Sequence, residues 1–158
     1  MEQCEGKILK GIGGFYYIQT DKGVIECHPR GIFRRQGKTP VAGDEVLISI
    51  QENGNGIIES IMERKNILVR PPVANVDCLV MVISLVQPVP NLQIVDTMLA
   101  VAENKGIDAI VVINKSDLAE ASPIREIYEH AGYTVFVVSA KEKKGITELK
   151  NYIAKKTC

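Results

Sequence analysis

The chain has 158 residues, 46% hydrophobic and 24% charged, which is ordinary for a globular protein and enough for one medium domain or two small ones. Nineteen Lys and Arg balance nineteen Asp and Glu, which excludes a globally basic nucleic-acid binder but leaves room for a local basic patch. Cys4, Cys27, Cys78 and Cys158 lie far apart in sequence, so there is no C-x-x-C metal or redox signature, and they read as buried or incidental thiols.

From the N-terminus, Met1 to Glu5 lacks the apolar run of a signal peptide. The next 60 or so residues have a β pattern of short runs between turn residues. Glu5 to Lys10 is the first run, closed by Gly11-Ile12-Gly13-Gly14. Phe15 to Thr20 and Val24 to His28 flank the hairpin signal Asp21-Lys22-Gly23. Asp44 to Gln51 alternates, with Val46, Ile48 and Ile50 on one face, and Ile57 to Met62 follows the turn cluster Asn53-Gly54-Asn55-Gly56. An open sheet this small would leave its edges exposed, so five short strands predict a closed or nearly closed barrel over residues 1–65. An OB-fold is the leading expectation and an SH3-like barrel the alternative. Residues 66–75, with Pro71-Pro72, read as a stiff, extended linker.

Residues 76–158 change to a β-α-β-α-β-α pattern. Val76 to Ser84 contains the longest apolar run, Cys78 to Ile83, which suits a strand buried on both faces and is far short of the roughly 20 residues needed to cross a bilayer. Asn91 to Asn104 is helical in period, with Val95, Met98, Leu99 and Ala102 on one side. Ala109 to Ile113 and Val135 to Val138 are further buried strands. Between them a helix opens at Ser122-Pro123 and ends at Gly132, and a last helix runs from Gly145 to Lys156. Right-handed crossovers make the three strands parallel and place binding loops at their C-terminal ends. Three strands are few for a doubly wound sheet, so this half reads as a partial α/β domain.

Two of those loops carry recognisable chemistry. After the second strand comes Asn114-Lys115-Ser116-Asp117, and after the third Ser139-Ala140-Lys141. A carboxylate at Asp117 can accept from the guanine N1–H and exocyclic amino group together, a donor pair that adenine lacks. The Lys115 stem can cover the base, Asn114 can tie the two loops together, and amides around Ala140 can donate to guanine O6. A polar loop with a capping Asp is the alternative for the first motif alone. The second motif, one βα unit later, favours guanine recognition.

Asn-Lys-x-Asp followed by Ser-Ala-Lys resembles the base-recognition pair of translation-factor-class GTPases. Gly11-Ile12-Gly13-Gly14-Phe15-Tyr16-Tyr17, Arg30-Gly31-Ile32-Phe33-Arg34, Gly43-Asp44-Glu45-Val46 and Arg70-Pro71-Pro72-Val73-Ala74-Asn75-Val76-Asp77 narrow the resemblance to the ribosome-small-subunit-dependent GTPase A family, a circularly permuted GTPase of ribosome assembly. The resemblance covers nearly the whole chain. It implies an OB barrel, then a P-loop GTPase domain whose base-recognition motifs precede its phosphate loop, then a zinc domain. It also implies GTP and GDP as ligands, magnesium and structural zinc in the full-length protein, and docking on the small ribosomal subunit and its rRNA. The expected protein is a cytoplasmic monomer without membrane or DNA partners.

The phosphate loop G-x-x-x-x-G-K-[ST] has no match. Gly37-Lys38-Thr39 comes nearest, but Ile32 stands where its first Gly belongs, and the segment reads as a barrel loop. No D-x-x-G loop or zinc ligand set follows. The expectation is therefore a fragment carrying the barrel and the guanine-specificity loops, with no catalytic residue of its own and inactive alone. Arg30, Arg34, Arg35 and Lys38, with Phe33 interleaved, form an acid-free stretch that can track RNA phosphates and stack a base; Arg64, Lys65 and Arg70 could extend it. A solvated loop with Phe33 in the core is the alternative. His28 and His130 are isolated and take no catalytic role. A non-enzymatic OB-fold RNA-binding module with an accessory α/β half is the rival function.

Overall fold

The computed structural model describes residues 2–31, 33 and 37–158. They divide into two compact units, Met1–Asn75 and Val76–Cys158.

The first unit is a five-stranded barrel. Its strands are β1 (Glu2–Ile12), β2 (Phe15–Thr20), β3 (Gly23–Pro29), β4 (Glu45–Ile50) and β5 (Gly56–Ile61). The order β1-β2-β3-β5-β4 closes because β1 serves two neighbours. Its first half pairs with β4 from Glu2 to Lys7, and its second half pairs with β2 from Lys7 to Ile12. A strand that changes partner must coil sharply, and Gly6 sits at the crossover. A Cβ there would come within 2.5 Å of Ile18 Cγ2 and 2.7 Å of the Gln19 carbonyl. β3 and β5 pair in parallel, and all other neighbours are antiparallel. This is OB-fold topology, and it displaces the SH3-like alternative.

Alternation supplies the core: Ile8, Ile18, Cys27, Phe33, Val46, Ile48 and Ile58 fill the barrel. Each large aliphatic buried there contributes about 1.5–3 kcal/mol. Asp44 is a completely buried carboxylate in this unit. Arg64 Nε and Nη2 donate to its two carboxylate oxygens at 2.7 and 2.8 Å, and the Val41 amide donates to Oδ2 at 2.8 Å.

Residues 66–75 differ from the extended linker expected. They form a hairpin of β6 (Ile67–Leu68) and β7 (Val73–Ala74) that belongs to the barrel unit. The Ala74 amide donates to the Ala42 carbonyl at 2.9 Å, and Asn75 Nδ2 donates to the Gly43 carbonyl at 2.9 Å. Gly43 makes this approach possible: at φ +86° its missing Cβ would lie 2.0 Å from the Ala74 carbonyl oxygen. The prolines turn the hairpin, while the docking comes from residues 32 positions upstream, which local sequence reading does not connect.

The second unit is a parallel sheet of order β10-β9-β8: β8 (Cys78–Ser84), β9 (Asp108–Asn114) and β10 (Thr134–Val137). Helices α1 (Leu92–Asn104) and α2 (Ser122–His130) cover one face, where Ile83, Val95, Leu99, Val111, Ile113 and Tyr128 pack. Helix α3 (Ile146–Ile153) covers the other through Ile146, Leu149 and Ile153 against Cys78, Ile110, Val112 and Val138. Asn91 caps α1 by accepting from the Gln93 and Ile94 amides. At α2 the cap position is Ala121, one residue before the Ser122 expected, and the Ser122 hydroxyl donates to Glu120 instead. Among the described residues no helix is long and apolar enough to cross a membrane.

Candidate functional site

β9 and β10 are adjacent parallel strands, so the loops that leave their C-terminal ends start side by side. β9 ends at Asn114. Lys115 then takes a left-handed conformation, φ +66°, which turns the chain sharply over the sheet edge. The turn closes with the Leu118 amide donating to the Lys115 carbonyl at 2.9 Å.

Four hydrogen bonds stitch this loop to the one after β10. The Val138 amide donates to the Ile113 carbonyl at 2.8 Å, and the Ser116 amide donates to the Val138 carbonyl at 3.2 Å. The Ala140 amide donates to Asn114 Oδ1 at 3.1 Å. The Ser139 hydroxyl donates to Asp117 Oδ1 at 2.6 Å. Ser139 is fully buried and also accepts from the Glu142 amide at 3.1 Å. Its own backbone exchanges two 3.1 Å bonds with Lys144, which fixes the second loop as a tight turn.

This arrangement holds a carboxylate in its charged form. The Ser139 hydroxyl keeps the Asp117 carboxyl below its ordinary range, against the opposing effect of burial, and the cations of Lys141 and Lys144 add to the depression. Asp117 therefore offers acceptor lone pairs at the sheet edge at any neutral pH. Ser116 contributes its backbone amide, and Lys141 is exposed and acts through charge.

Lys115 shows a role that its spacing did not reveal. Its ammonium donates to the carbonyls of Val86, at 3.1 Å, and Gln87, at 2.5 Å, in the segment after β8. Val86, Gln87 and Lys144 thus belong to the site. No motif marks the first two, and Lys144 lies hidden in a lysine-rich run.

The basic stretch of the barrel is less uniform than its sequence. Arg30 pairs with Glu59 at 2.8 Å, and Glu59 accepts in turn from the Ser49 hydroxyl at 2.6 Å. Phe33 is 6% exposed and sits in the barrel core, so its ring is not presented for stacking. Lys38 is exposed beside a cavity of about 500 Å³ that Tyr16, His28, Arg30 and Thr39 also line. Arg34 and Arg35 lie outside the described residues. Arg64 is spent on Asp44 rather than extending the patch. Gly37, Lys38 and Thr39 lie between β3 and β4 of the barrel.

A family profile described as RsgA GTPase matches residues 61–158, and one described as RsgA N-terminal domain matches residues 5–58. The chain belongs to the RsgA family. The protein named small ribosomal subunit biogenesis GTPase RsgA of Alkaliphilus metalliredigens is 40% identical over 97% of this chain, and that of Clostridium perfringens is 46% identical over 92%. Among solved structures, YjeQ from Thermotoga maritima superposes with a TM-score of 0.82 at 33% identity, covering 96% of this chain and 57% of that one. YloQ, described as a circularly permuted GTPase, gives 0.78 at 35% identity, covering 96% and 56%. The chain spans about half the length of the curated RsgA relatives it matches, 54% and 52% for the two named.

Among the described residues no group of three or more His, Cys, Asp or Glu side chains could hold a metal ion. Among the described residues no ligand set fits the magnesium and zinc that the resemblance implies for the full-length protein.

Proposed function

We propose that this chain supplies the guanine-selecting part, and an RNA-contacting barrel, of a GTPase that acts in small ribosomal subunit biogenesis. The observation that carries the reading is the Ser139–Asp117 and Ala140–Asn114 cross-tie at the C-terminal ends of adjacent parallel strands. It occurs in a chain whose relatives bear the name small ribosomal subunit biogenesis GTPase.

Asp117 would accept from the guanine N1–H and the exocyclic amino group. Ser139 keeps that carboxylate oriented and charged, which makes rejection of adenine a matter of unpaired acceptors. The Lys115 stem, anchored at both ends, would form a wall along the base. The Ala140 amide is committed to Asn114 here, so binding guanine through it would exchange that bond for one to O6. GTP hydrolysis to GDP and phosphate requires groups that hold phosphate and activate water, and this chain assigns none of them. Arg30 and Lys38 would meet rRNA phosphates on the barrel surface, with Arg34 and Arg35 as further candidates from the sequence. A cytoplasmic monomer without membrane or DNA partners fits this role.

Asp117→Asn in the full-length protein tests the reading. The amide offers a donor where xanthine presents a carbonyl, so preference should move from guanine to xanthine nucleotides. An unchanged guanine preference, measured by competition calorimetry, removes Asp117 from this role.

A further inference from the structure

The turn Asn53-Gly54-Asn55-Gly56 between β4 and β5 repeats the Asn-Gly pair. The side-chain amide of an asparagine can be attacked by the backbone nitrogen of the next residue. Glycine in that place favours the attack, because it has no side chain to bar the approach and its backbone turns freely. Sequence makes the two pairs equivalent, and the fold separates them.

Asn53 and Gly54 are exposed, and a Cβ on Gly54 would meet nothing within 4 Å. The Gly54 amide donates to the Gln51 carbonyl at 3.0 Å, a bond inside an exposed turn that opens at little cost. The Asn55 amide donates to Asn53 Oδ1 at 3.0 Å. That oxygen gains negative charge when the side-chain carbonyl is attacked, so a donor already stands where the charge develops. Asn55 is placed differently. It is half-buried, and Gly56, whose nitrogen would have to attack it, is buried opposite Ile50 of β4 and Cys27 of β3. A Cβ on Gly56 would lie 2.4 Å from Cys27 Sγ, so the backbone there has no slack. The Gly56 nitrogen can swing towards Asn55 only after these strand pairings open.

We propose that Asn53 is a self-modification site, which loses its side-chain amide by attack of the Gly54 nitrogen, while the closed barrel protects Asn55. Hydroxide removes the Gly54 amide proton, and the nitrogen forms a bond to Asn53 Cγ. The bond from Cγ to Nδ2 then breaks, and ammonia leaves with a proton taken from water. Water opens the resulting cyclic imide at either carbonyl, giving an aspartyl or an isoaspartyl residue at position 53. In sum one water is consumed and one ammonia released, with no oxidant or reductant. The product sets a carboxylate beside Glu52 and, in its isoaspartyl form, lengthens the main chain between β4 and β5 by one carbon.

The test holds the 158-residue chain in mildly alkaline buffer, folded in one arm and unfolded in guanidinium in the other. Both are digested in acid and mapped by mass spectrometry, with fragmentation that separates aspartyl from isoaspartyl products. In the folded arm Asn53 should lose its amide at least about tenfold faster than Asn55, because reaction at Asn55 first has to open paired strands. In guanidinium the two should react at similar rates. Asn53→Gln, in an exposed turn that should not disturb folding, closes only a larger and slower ring and should abolish the acidic form of the folded chain. Reaction of Asn55 as fast as Asn53 in the folded arm would overturn the proposal. So would an Asn53 amide that persists in the folded chain while guanidinium converts it, or an acidic form that Asn53→Gln leaves unchanged.

Discussion

Arg64→Met tests how the barrel tolerates its one fully buried carboxylate. The substitution keeps most of the stem but deletes the guanidinium, and with it two bonds to Asp44 and a 2.8 Å bond to the Thr39 carbonyl. Asp44 stays buried with a single donor, the Val41 amide. Removing one partner of a buried ion pair costs about 3–5 kcal/mol, most of it the penalty of the charge left behind. The Arg64 side chain is 23% exposed, so water can reach part of the site and the lower end, about 3 kcal/mol, is expected. That equals a roughly 150-fold rise in the opening equilibrium. Native-state hydrogen exchange at the Ile8 and Val46 amides reads it directly, because barrel-core amides report the opening of that unit. The double variant Asp44→Leu with Arg64→Met removes both charges and should exchange more slowly than Arg64→Met alone. An effect below about 1 kcal/mol, or a double variant less stable than the single, would refute the buried-charge reasoning.

The 158-residue chain by itself should bind GDP weakly and show no GTP hydrolysis, since phosphate contacts carry much of a nucleotide's binding energy; tight binding by calorimetry would contradict this. Lys38→Ala in the full-length protein should weaken small-subunit binding and reduce the slope of log K against log salt by about 0.7–0.9, and an unchanged slope returns Lys38 to plain solvation. Tyr128 and Tyr133 should ionise late. Burial pushes the Tyr128 phenol up to about 12, helped by its bond to Asp96, and the bond to Glu103 pushes Tyr133 up to about 12. The folded state thus holds these protons where the unfolded chain has lost them. The stability they confer is complete below an ordinary tyrosine pKa of about 10 and is lost as pH rises towards 12. Absorbance at the phenolate band, with Tyr133→Phe as the control, should show two late transitions, and ordinary ionisation of both would contradict the assignment.

Local pattern carried much of this protein. Alternation in Asp44 to Gln51 marked which side chains of β4 turn inward, because the pleat is intrinsic to a strand. The apolar runs before Asn114 and Ser139 marked parallel strands, and the chirality of the crossovers then placed both loops at one sheet edge. The motif residues carry the proposed base chemistry, since few side chains can present two acceptors to guanine. Partnership was decided by tertiary structure. Pro71-Pro72 looks like a spacer until Gly43 lets Ala74 approach the barrel. Arg64 looks like part of a basic patch until Asp44 is found buried beneath it. Phe33 reads equally as a stacking ring or a core residue, and only closure of the barrel buries it. Lys115 meets the carbonyls of Val86 and Gln87 across a separation that no window of sequence spans. The physical reason is common to all: periodicity reports how a residue sits on its own element, whereas a charge, a ring or a missing Cβ acquires its meaning from what stands opposite.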